Sequence, residues 1–296
     1  MVLLIIDPKT KDWKQITEEE KKQLPEEERE KVLYIDGKYK KRLDFSQSQR
    51  KKDNDAVCLF VGKEGSGKST LSANTMRYIS KDTFDPLKHM IGSDYEDGVK
   101  KISECPKGGF LMFDEGNVFF LSTDVMKREA RDLHKIFSIF RQKNLFVAIA
   151  LPSFFRLNSY FALDRSDFLC KTYIKKGNRG FFAYYGTKKK AQLYYKGRDT
   201  HNNNAVSPAF RGRFNKCCVL ENPEYKKFKL KTLEESIKIA KAPRKMSPTE
   251  AKRAYIKQVA SNNAEVSSPE LGKILGVSDR LIRKIRQEIR ETKEEK

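Results

Sequence analysis

The sequence has few of the residues from which metal centres and disulfide frameworks are built. It contains 3 histidines and 5 cysteines among 296 residues. The histidines are scattered and no two cysteines form a C-x-x-C pair, so neither residue type indicates a metal site. We therefore expect reduced, structural thiols in a cytosol-like compartment, at Cys58, Cys105, Cys170, Cys217 and Cys218.

Long hydrophobic runs are also missing. The apolar stretch Leu145 to Leu151 is far too short to cross a bilayer. The apolar start of the chain, Met1 to Ile6, is brief and has no basic leader, so we expect no signal peptide. Charged residues make up 34% of the chain. The composition thus predicts a cytoplasmic protein without an integral membrane segment, in the host cytoplasm if the protein is viral.

Acidic residues are in short supply relative to basic ones. The formal net charge is +21, and residues 171–232 contain 16 Lys and Arg against 3 Asp and Glu. Residues 241–296 contain 14 against 8. A basic excess this concentrated favours a polyanionic partner, and nucleic acid is a better explanation than a well-solvated surface.

The most informative segment that is present is the octapeptide GKEGSGKS at residues 62–69. It fits the phosphate-binding loop pattern G-x-x-x-x-G-K-[ST], with an apolar strand pattern at 56–61 before it and a helical pattern at 69–79 after it. Backbone N–H groups and the helix N-terminus would bind phosphates. Lys68 would reach the β- and γ-phosphates of ATP and Ser69 would ligate Mg²⁺. The predicted nucleotide-binding residues are Gly62, Glu64, Gly65, Ser66, Gly67, Lys68, Ser69 and Thr70.

A second apolar strand pattern, at 109–113, ends in Asp114-Glu115. A carboxylate at a strand tip beside the phosphate loop can hold Mg²⁺ through water, and a second one can activate the attacking water. We assign Asp114 to the metal and Glu115 to the water. The two motifs together predict an ATPase, with Glu115 and Lys68 as catalytic residues.

Strand and helix patterns alternate along the central part of the chain. We expect an N-terminal β/α extension at 1–50, with a hairpin turn at Asp36-Gly37, and a P-loop core at 51–215. A helix is expected at 123–142, and a β-hairpin at 168–185. This alternation predicts an α/β fold with a mostly parallel sheet. A basic linker is expected at 216–245.

The last part of the chain, 246–296, has a compact helical pattern. Ser247-Pro248-Thr249-Glu250 predicts a helix start. Two further helices separated by Gly276-Val277-Ser278 resemble a helix-turn-helix. The third helix would expose side chains that reach bases and phosphates. We expect DNA contacts, rather than a protein-binding bundle, from Arg280, Arg283, Lys284, Arg286 and Gln287.

The P-loop, the Asp114-Glu115 strand end, the basic helix and the strand at 145–151 together resemble the FtsK/HerA superfamily of DNA-pumping ATPases. The resemblance covers about residues 55–175. More narrowly, the chain is similar to small archaeal and viral members of this superfamily, such as genome-packaging ATPases and zonular-occludens-toxin-like proteins. It implies an additional-strand catalytic glutamate (RecA-like) fold and a ring, hexameric by analogy, with ATP sites between subunits. It also implies an arginine from the neighbouring subunit, with Arg141 and Arg165 as candidates and Arg128 and Arg131 behind them.

One position departs from that superfamily. Many relatives have a polar γ-phosphate sensor at the tip of the strand after the Asp-Glu strand, where this chain has Leu151-Pro152-Ser153. Ser153, Asn144 and Asn158 are alternative candidates for this role.

Three functions are compatible with the sequence. The first is a motor that moves double-stranded DNA during packaging or transfer of a viral or mobile-element genome. The second is a nucleotide-switched DNA-binding regulator or partition protein. The third is an ATPase for virion assembly.

Overall fold

A computed structural model describes residues 2–114, 138–241 and 248–294 of the chain. The chain divides into two compact units, residues 1–238 and 239–296. Each unit is described by itself below.

A three-stranded antiparallel sheet and two short helices form the start of the first unit. Its strands β1 (Val2–Ile6), β2 (Trp13–Ile16) and β3 (Leu33–Ile35) lie in the order β2-β1-β3. Helices α1 (Glu18–Gln23) and α2 (Glu26–Lys31) connect β2 to β3. Thr17 and Glu20 form a capping box at the start of α1, a local signal for a helix N-terminus.

The predicted hairpin at Asp36-Gly37 is wrong, because Asp36 begins a helix. Its Oδ1 accepts hydrogen bonds from the backbone N–H groups of Lys38 and Tyr39, at 3.0 and 3.2 Å. This N-cap starts α3 (Gly37–Arg50), which buries Tyr39 and Leu43 in the core. Aspartate suits both a turn and a helix cap, and the apolar positions that follow it decide between the two.

The main sheet of the first unit has seven strands in the order β10-β9-β8-β4-β7-β6-β5. β4 pairs in parallel with β7 and β8, and β6 pairs in parallel with β5 and β7. β9 pairs antiparallel with both β8 and β10. This confirms the predicted α/β fold with a mostly parallel sheet. The strands are β4 (Ala56–Val61), β5 (Met90–Ile91), β6 (Phe110–Phe113), β7 (Phe146–Leu151), β8 (Phe168–Lys175), β9 (Asn178–Gly186) and β10 (Phe210–Arg213).

Strand β7 lies between β4 and β6, although it follows β6 in the sequence. Phe146 is in register with Ala56 of β4 on one side and with Phe110 of β6 on the other. The strand that ends in the phosphate loop and the strand that ends at Asp114 are therefore separated by one inserted strand. This is the additional-strand arrangement that the resemblance implied.

The central strands are buried on both faces, which explains their nearly continuous apolar sequences. In β4, Val57, Leu59 and Val61 join one core cluster, and Ala56, Cys58 and Phe60 join the other. A shift of one residue in register would exchange the two sets.

Helices surround this sheet in the first unit. They are α4 (Lys68–Ile79), α5 (Pro86–His89), α6 (Tyr95–Glu104), α7 (Thr187–Gly197), α8 (Cys218–Glu221) and α9 (Pro223–Lys241), with a π-helical segment at Tyr160–Arg165. Helices α8 and α9 lie where a basic linker was expected. A helical segment at 138–142 precedes β7 and buries Phe140 completely, whereas most of the helix predicted at 123–142 lies outside the described residues.

The second unit contains α10 (Pro248–Asn262), α11 (Ser268–Leu275) and α12 (Asp279–Glu294). Ile256, Ala260, Leu271, Ile282 and Ile285 form its core. Gly276 ends α11 with φ of 62°, the left-handed conformation that glycine adopts without steric cost. The three predicted helices and the turn between the last two are therefore observed.

All five cysteines are free, and Cys58, Cys105, Cys170 and Cys217 are buried. Among the described helices, none is both long and apolar enough to cross a membrane.

Candidate active site

The phosphate loop connects β4 to α4 and is shaped by its glycines. Gly67 has a φ of 95°, and a Cβ atom there would lie 2.8 Å from the ring of Phe214. Both the conformation and the space therefore require glycine. The loop ends where α4 begins at Lys68, so the first N–H groups of this helix face the loop.

The loop is anchored on the neighbouring strand β8. Ser66 Oγ is buried and lies 2.7 Å from Thr172 Oγ1, which is 3.2 Å from the carbonyl oxygen of Val61. Ser66 also donates a hydrogen bond of 2.6 Å to the carbonyl oxygen of Lys63. A Cβ atom on Gly62 would lie 2.6 Å from the carbonyl oxygen of Thr172. The backbone of the loop is thus fixed by contacts that need no ligand.

The two polar side chains predicted to act on phosphate and metal are at the start of α4. Lys68 Nζ donates a hydrogen bond of 3.2 Å to the carbonyl oxygen of Lys63, so its ammonium group folds back over the loop. Ser69 Oγ donates to Asp114 Oδ1 at 2.6 Å. Glu64 is an exposed residue of the loop.

Asp114 is brought to Ser69 by the sheet. It directly follows β6, and its backbone N–H donates to the carbonyl oxygen of Ile91 at the end of β5. Asp114 is only 2% exposed, and its Oδ2 lies 2.7 Å from the ammonium nitrogen of Lys229 on α9. A buried carboxylate next to a serine hydroxyl is a set of hard oxygen donors that suits Mg²⁺. The described residues include no cluster of three His, Cys, Asp or Glu that could hold another metal.

Glu115, the predicted water-activating residue, lies outside the described residues. It follows Asp114 directly in the sequence.

Within the part of the chain that the structure describes, two cavities flank the phosphate loop. One has a volume of about 440 Å³ and touches the loop at Gly67 and the first turn of α4 at Thr70. Its other lining residues include Arg179, Phe214, Asn215, Lys216, Leu220 and Glu221.

The other cavity, of about 630 Å³, touches the loop at Gly62, Lys63 and Ser66. Lys171 lines it and donates to the side-chain oxygen of Asn204 at 3.3 Å. Burial, followed by the nearby charge of Arg211, lowers the pKa of this lysine. The two cavities thus lie at opposite parts of the same loop.

Both arginine candidates precede strands rather than following them. Arg141 lies just before β7, and Arg165 just before β8. Because β4, β7 and β8 are parallel, both lie at the amino edge of the sheet, opposite the phosphate loop. Arg165 pairs with Asp55 at 2.5 Å, and the two side chains are 17% and 11% exposed. Arg128 and Arg131 lie outside the described residues.

Arg179 is an arginine that the sequence analysis missed. It lies in β9 next to the turn of the β8–β9 hairpin, and its Nη2 would be 3.6 Å from a Cβ atom on Gly65. Its signal in the sequence was the hairpin itself: β8 starts at the amino edge, so the turn after it must lie at the carboxyl edge with the phosphate loop.

The three candidates for the γ-phosphate sensor lie at different positions relative to the two edges of the sheet. Ser153 follows β7 by two residues, at the carboxyl edge, and is partly buried. Asn144 precedes β7 and donates to Asp53 at 2.9 Å, so it lies at the opposite edge from the loop. Asn158 accepts a hydrogen bond from the backbone N–H of Tyr160.

In the second unit, α12 carries the predicted DNA-contacting residues. Arg280, Arg283, Lys284 and Gln287 are exposed. Arg283 pairs with Asp279 at 3.0 Å, and Gln287 donates to Glu291. Arg286 is different, because it donates to the carbonyl oxygens of Asn263 and Val266 and to Ser268 Oγ. Arg286 thus holds α12 to the segment before α11.

No protein-family profile matches the chain, and a search of curated proteins finds no match. Among solved structures, the chain is similar to B204, the DNA-packaging ATPase of Sulfolobus turreted icosahedral virus. The identity is 9%, the TM-score is 0.35, and the match covers 47% of this chain and 95% of that one.

The chain is also similar to the genome packaging NTPase B204 of Sulfolobus turreted icosahedral virus 2 in complex with ATP-gammaS. There the identity is 12% and the TM-score 0.34, over 47% of this chain and 95% of that one. A third structure is the N-terminal domain of zonular occludens toxin from Neisseria meningitidis. Its identity is 11% and its TM-score 0.38, over 57% of this chain and 98% of that one. At such identities and scores, what this chain does has to be argued from its own residues.

Proposed function

We propose that this protein is a Mg²⁺-dependent ATPase of the FtsK/HerA type that uses hydrolysis to move DNA. The observation that carries the proposal is the 2.6 Å hydrogen bond between Ser69 Oγ and Asp114 Oδ1. These residues are 45 positions apart, and they meet at the carboxyl edge of the sheet although β7 is inserted between β4 and β6. This arrangement pairs a phosphate loop with a metal-binding carboxylate.

Each residue of the proposed site would have its own role in ATP hydrolysis. The loop from Gly62 to Thr70 would bind the phosphates through backbone N–H groups, and Lys68 would contact the β- and γ-phosphates. Ser69 and Asp114 would hold Mg²⁺, which when bound neutralises charge on the transferring phosphoryl group. Glu115 would orient and activate the attacking water.

The nucleoside would lie in the cavity of about 440 Å³. In a phosphate loop, Lys68 serves the γ-phosphate end and the backbone N–H groups serve the α- and β-phosphates. Thr70 follows them at the start of α4, and of the two cavities that the described residues form beside the loop, the one of about 440 Å³ touches Thr70. Phe214 and Leu220 offer apolar walls there, a typical lining for a ligand site.

DNA would be bound by the basic surface of residues 171–232, while the second unit would dock the motor on DNA. Lys175, Lys176, Arg211 and Arg213 are exposed. Most aromatic residues of this region are unsuited to stacking on bases, because Phe182, Tyr184, Tyr185 and Tyr194 are at most 6% exposed, whereas Tyr195 is 70% exposed. We expect a homo-oligomeric ring, hexameric by analogy, acting in the cytoplasm.

The second candidate is a nucleotide-switched DNA-binding regulator, and the exposed basic side chains of α12 favour it. Deletion of residues 246–296 separates the two functions. A motor keeps DNA-stimulated hydrolysis and loses targeting, whereas a regulator loses DNA binding.

The test of the proposed function is the steady-state ATPase rate with and without long double-stranded DNA. We expect stimulation that grows with DNA length, and loss of hydrolysis in Lys68→Ala, because the neutral side chain cannot balance the phosphate charge. Lys63→Ala, in the same loop, is the matched control and should remain active. Normal turnover by Lys68→Ala would remove the ATPase assignment.

Arg179 provides a sharper test of the site. Arg179→Gln is expected to weaken ATP binding by about 10- to 100-fold, because a charge-assisted hydrogen bond to phosphate contributes about 1.5–3 kcal/mol. Lys176→Gln, in the turn of the same hairpin, makes the same change in charge and should bind normally. Arg165→Gln should lower the melting temperature and leave binding unchanged, since Arg165 pairs with Asp55 at the opposite edge. Equal ATP affinity for Arg179→Gln and Lys176→Gln would contradict this role.

A further inference from the structure

Helix α9 lies next to Asp114, one of the two proposed metal ligands of the ATPase site. Phe228 is 5% exposed and packs in the core cluster beneath this helix, and Thr232 is also 5% exposed. Thr232 reaches the backbone just after β5, where a Cβ atom on Gly92 would lie 2.7 Å from its Oγ1. These two residues fix the first half of α9 at the carboxyl ends of β5 and β6.

Lys229 lies between these two anchors on α9 and makes the contact with Asp114. Its Nζ is 2.7 Å from Oδ2, while Ser69 donates to Oδ1 of the same carboxylate. Asp114 is 2% exposed, whereas the Lys229 side chain is 34% exposed. The carboxylate is therefore almost without water, and a lysine that retains access to solvent supplies its counter-charge.

Such a contact conflicts with a divalent cation on the same carboxylate. A lysine ammonium and Mg²⁺ bound to one aspartate would be within a few ångströms of each other, and their repulsion in a poorly solvated corner is strong. The lysine stem has four flexible carbons and solvent on one side, so it can move away.

We propose that Lys229 is a built-in competitor for the metal at Asp114, so that loading of the metal with nucleotide releases Lys229 and loosens α9. This inference rests on the proposed function, because it takes Asp114 as the metal-binding carboxylate. Lys229 acts here as a positioning residue that raises the Mg²⁺ concentration needed for nucleotide binding. By linkage, whatever holds α9 in place weakens metal loading by the same factor.

Competition between Lys229 and the metal would also couple the packing of α9 to occupancy of the metal site. The opposite side of the helix is solvated, with Leu230 and Leu233 at 61% and 57% exposure. Lys231 approaches Asp97 only at 3.9 Å. The ion pair of Lys229 is one of the contacts that hold the first half of this helix, beside the packing of Phe228 and Thr232, and its loss would loosen α9 between them.

The test is a titration of Mg²⁺ against binding of a fluorescent ATP analogue, mant-ATP, to the full chain. We expect Lys229→Gln to reach half-maximal binding at about tenfold lower Mg²⁺ than the wild type, within the typical range of couplings between sites. Lys229→Arg should restore the wild-type requirement. Lys227→Gln is the matched control, since Lys227 is exposed on the same helix and loses the same charge.

An equal or higher Mg²⁺ requirement in Lys229→Gln would overturn the inference, because it would make Lys229 a helper of binding. Hydrogen exchange on the wild type gives a second measurement that needs no variant. Amides of residues 223–234 should exchange faster with Mg²⁺ and mant-ATP than with mant-ATP and EDTA, and unchanged exchange would also overturn it. Failure of every protein to bind mant-ATP at any Mg²⁺ concentration would instead refute the proposed function, and this inference with it.

Discussion

Glu115→Gln is expected to slow ATP hydrolysis by about 10²- to 10⁴-fold, the usual contribution of a general base. Glu115 directly follows Asp114 in the sequence, and Asp114 accepts the hydrogen bond of Ser69. Glutamine has the shape of glutamate but cannot take a proton from water. Nucleotide binding should therefore persist, and the variant should retain unhydrolysed ATP.

Single-turnover hydrolysis and mant-ATP binding, measured on the same preparation, check this prediction. Asp114→Asn is the informative comparison, because it should lose Mg²⁺-dependent binding instead of hydrolysis alone. A Glu115→Gln variant that still turns over ATP would assign the attacking water to another residue.

DNA affinity is expected to fall by about 10³-fold or more between 50 and 200 mM salt, as for proteins that make about 6–10 phosphate contacts. The physical reason is counterion release. Residues 171–232 contain 16 basic and 3 acidic residues, and several of the basic ones are exposed at the β8–β9 hairpin and at β10.

Titration of a fluorescent duplex at several salt concentrations measures this slope. Binding of mant-ATP under the same conditions is the control, and it should change far less because few charges are exchanged. A flat response of the duplex would exclude nucleic acid as the partner of the basic surface.

The features of the site that could be predicted from the sequence are those fixed by short stretches of chain. The phosphate loop is one of them, since its glycines, Lys68 and Ser69 are adjacent and lie between a strand and a helix pattern. The carboxyl-edge position of Asp114 is another, because the end of a strand is visible in its own residues. The position of α9 beside the site could not be predicted, because it depends on the contact of Lys229 with Asp114, more than a hundred positions earlier in the chain.

The arginines illustrate why the rest could not be predicted. Arg141 and Arg165 were named as candidates for an arginine from the neighbouring subunit, and both lie at the amino edge of the sheet; the edge on which a residue lies depends on strand direction, which a local pattern does not give. Strand direction also explains why Arg179 is close to the loop. Arg286 was expected to contact DNA and instead holds carbonyl oxygens of its own unit, because a single pattern of basic residues does not tell which side of a helix is used for packing.

The anchoring of the phosphate loop on β8 has a thermodynamic consequence. Ser66 and Thr172 hold the loop closed, and Gly62 leaves no room between it and β8. The loop therefore loses its conformational entropy when the protein folds. Binding of a nucleotide would not have to order the loop a second time. In the proposed ATPase, the free energy of each phosphate contact would then contribute to affinity, and the loop would keep its conformation when one nucleotide replaces another.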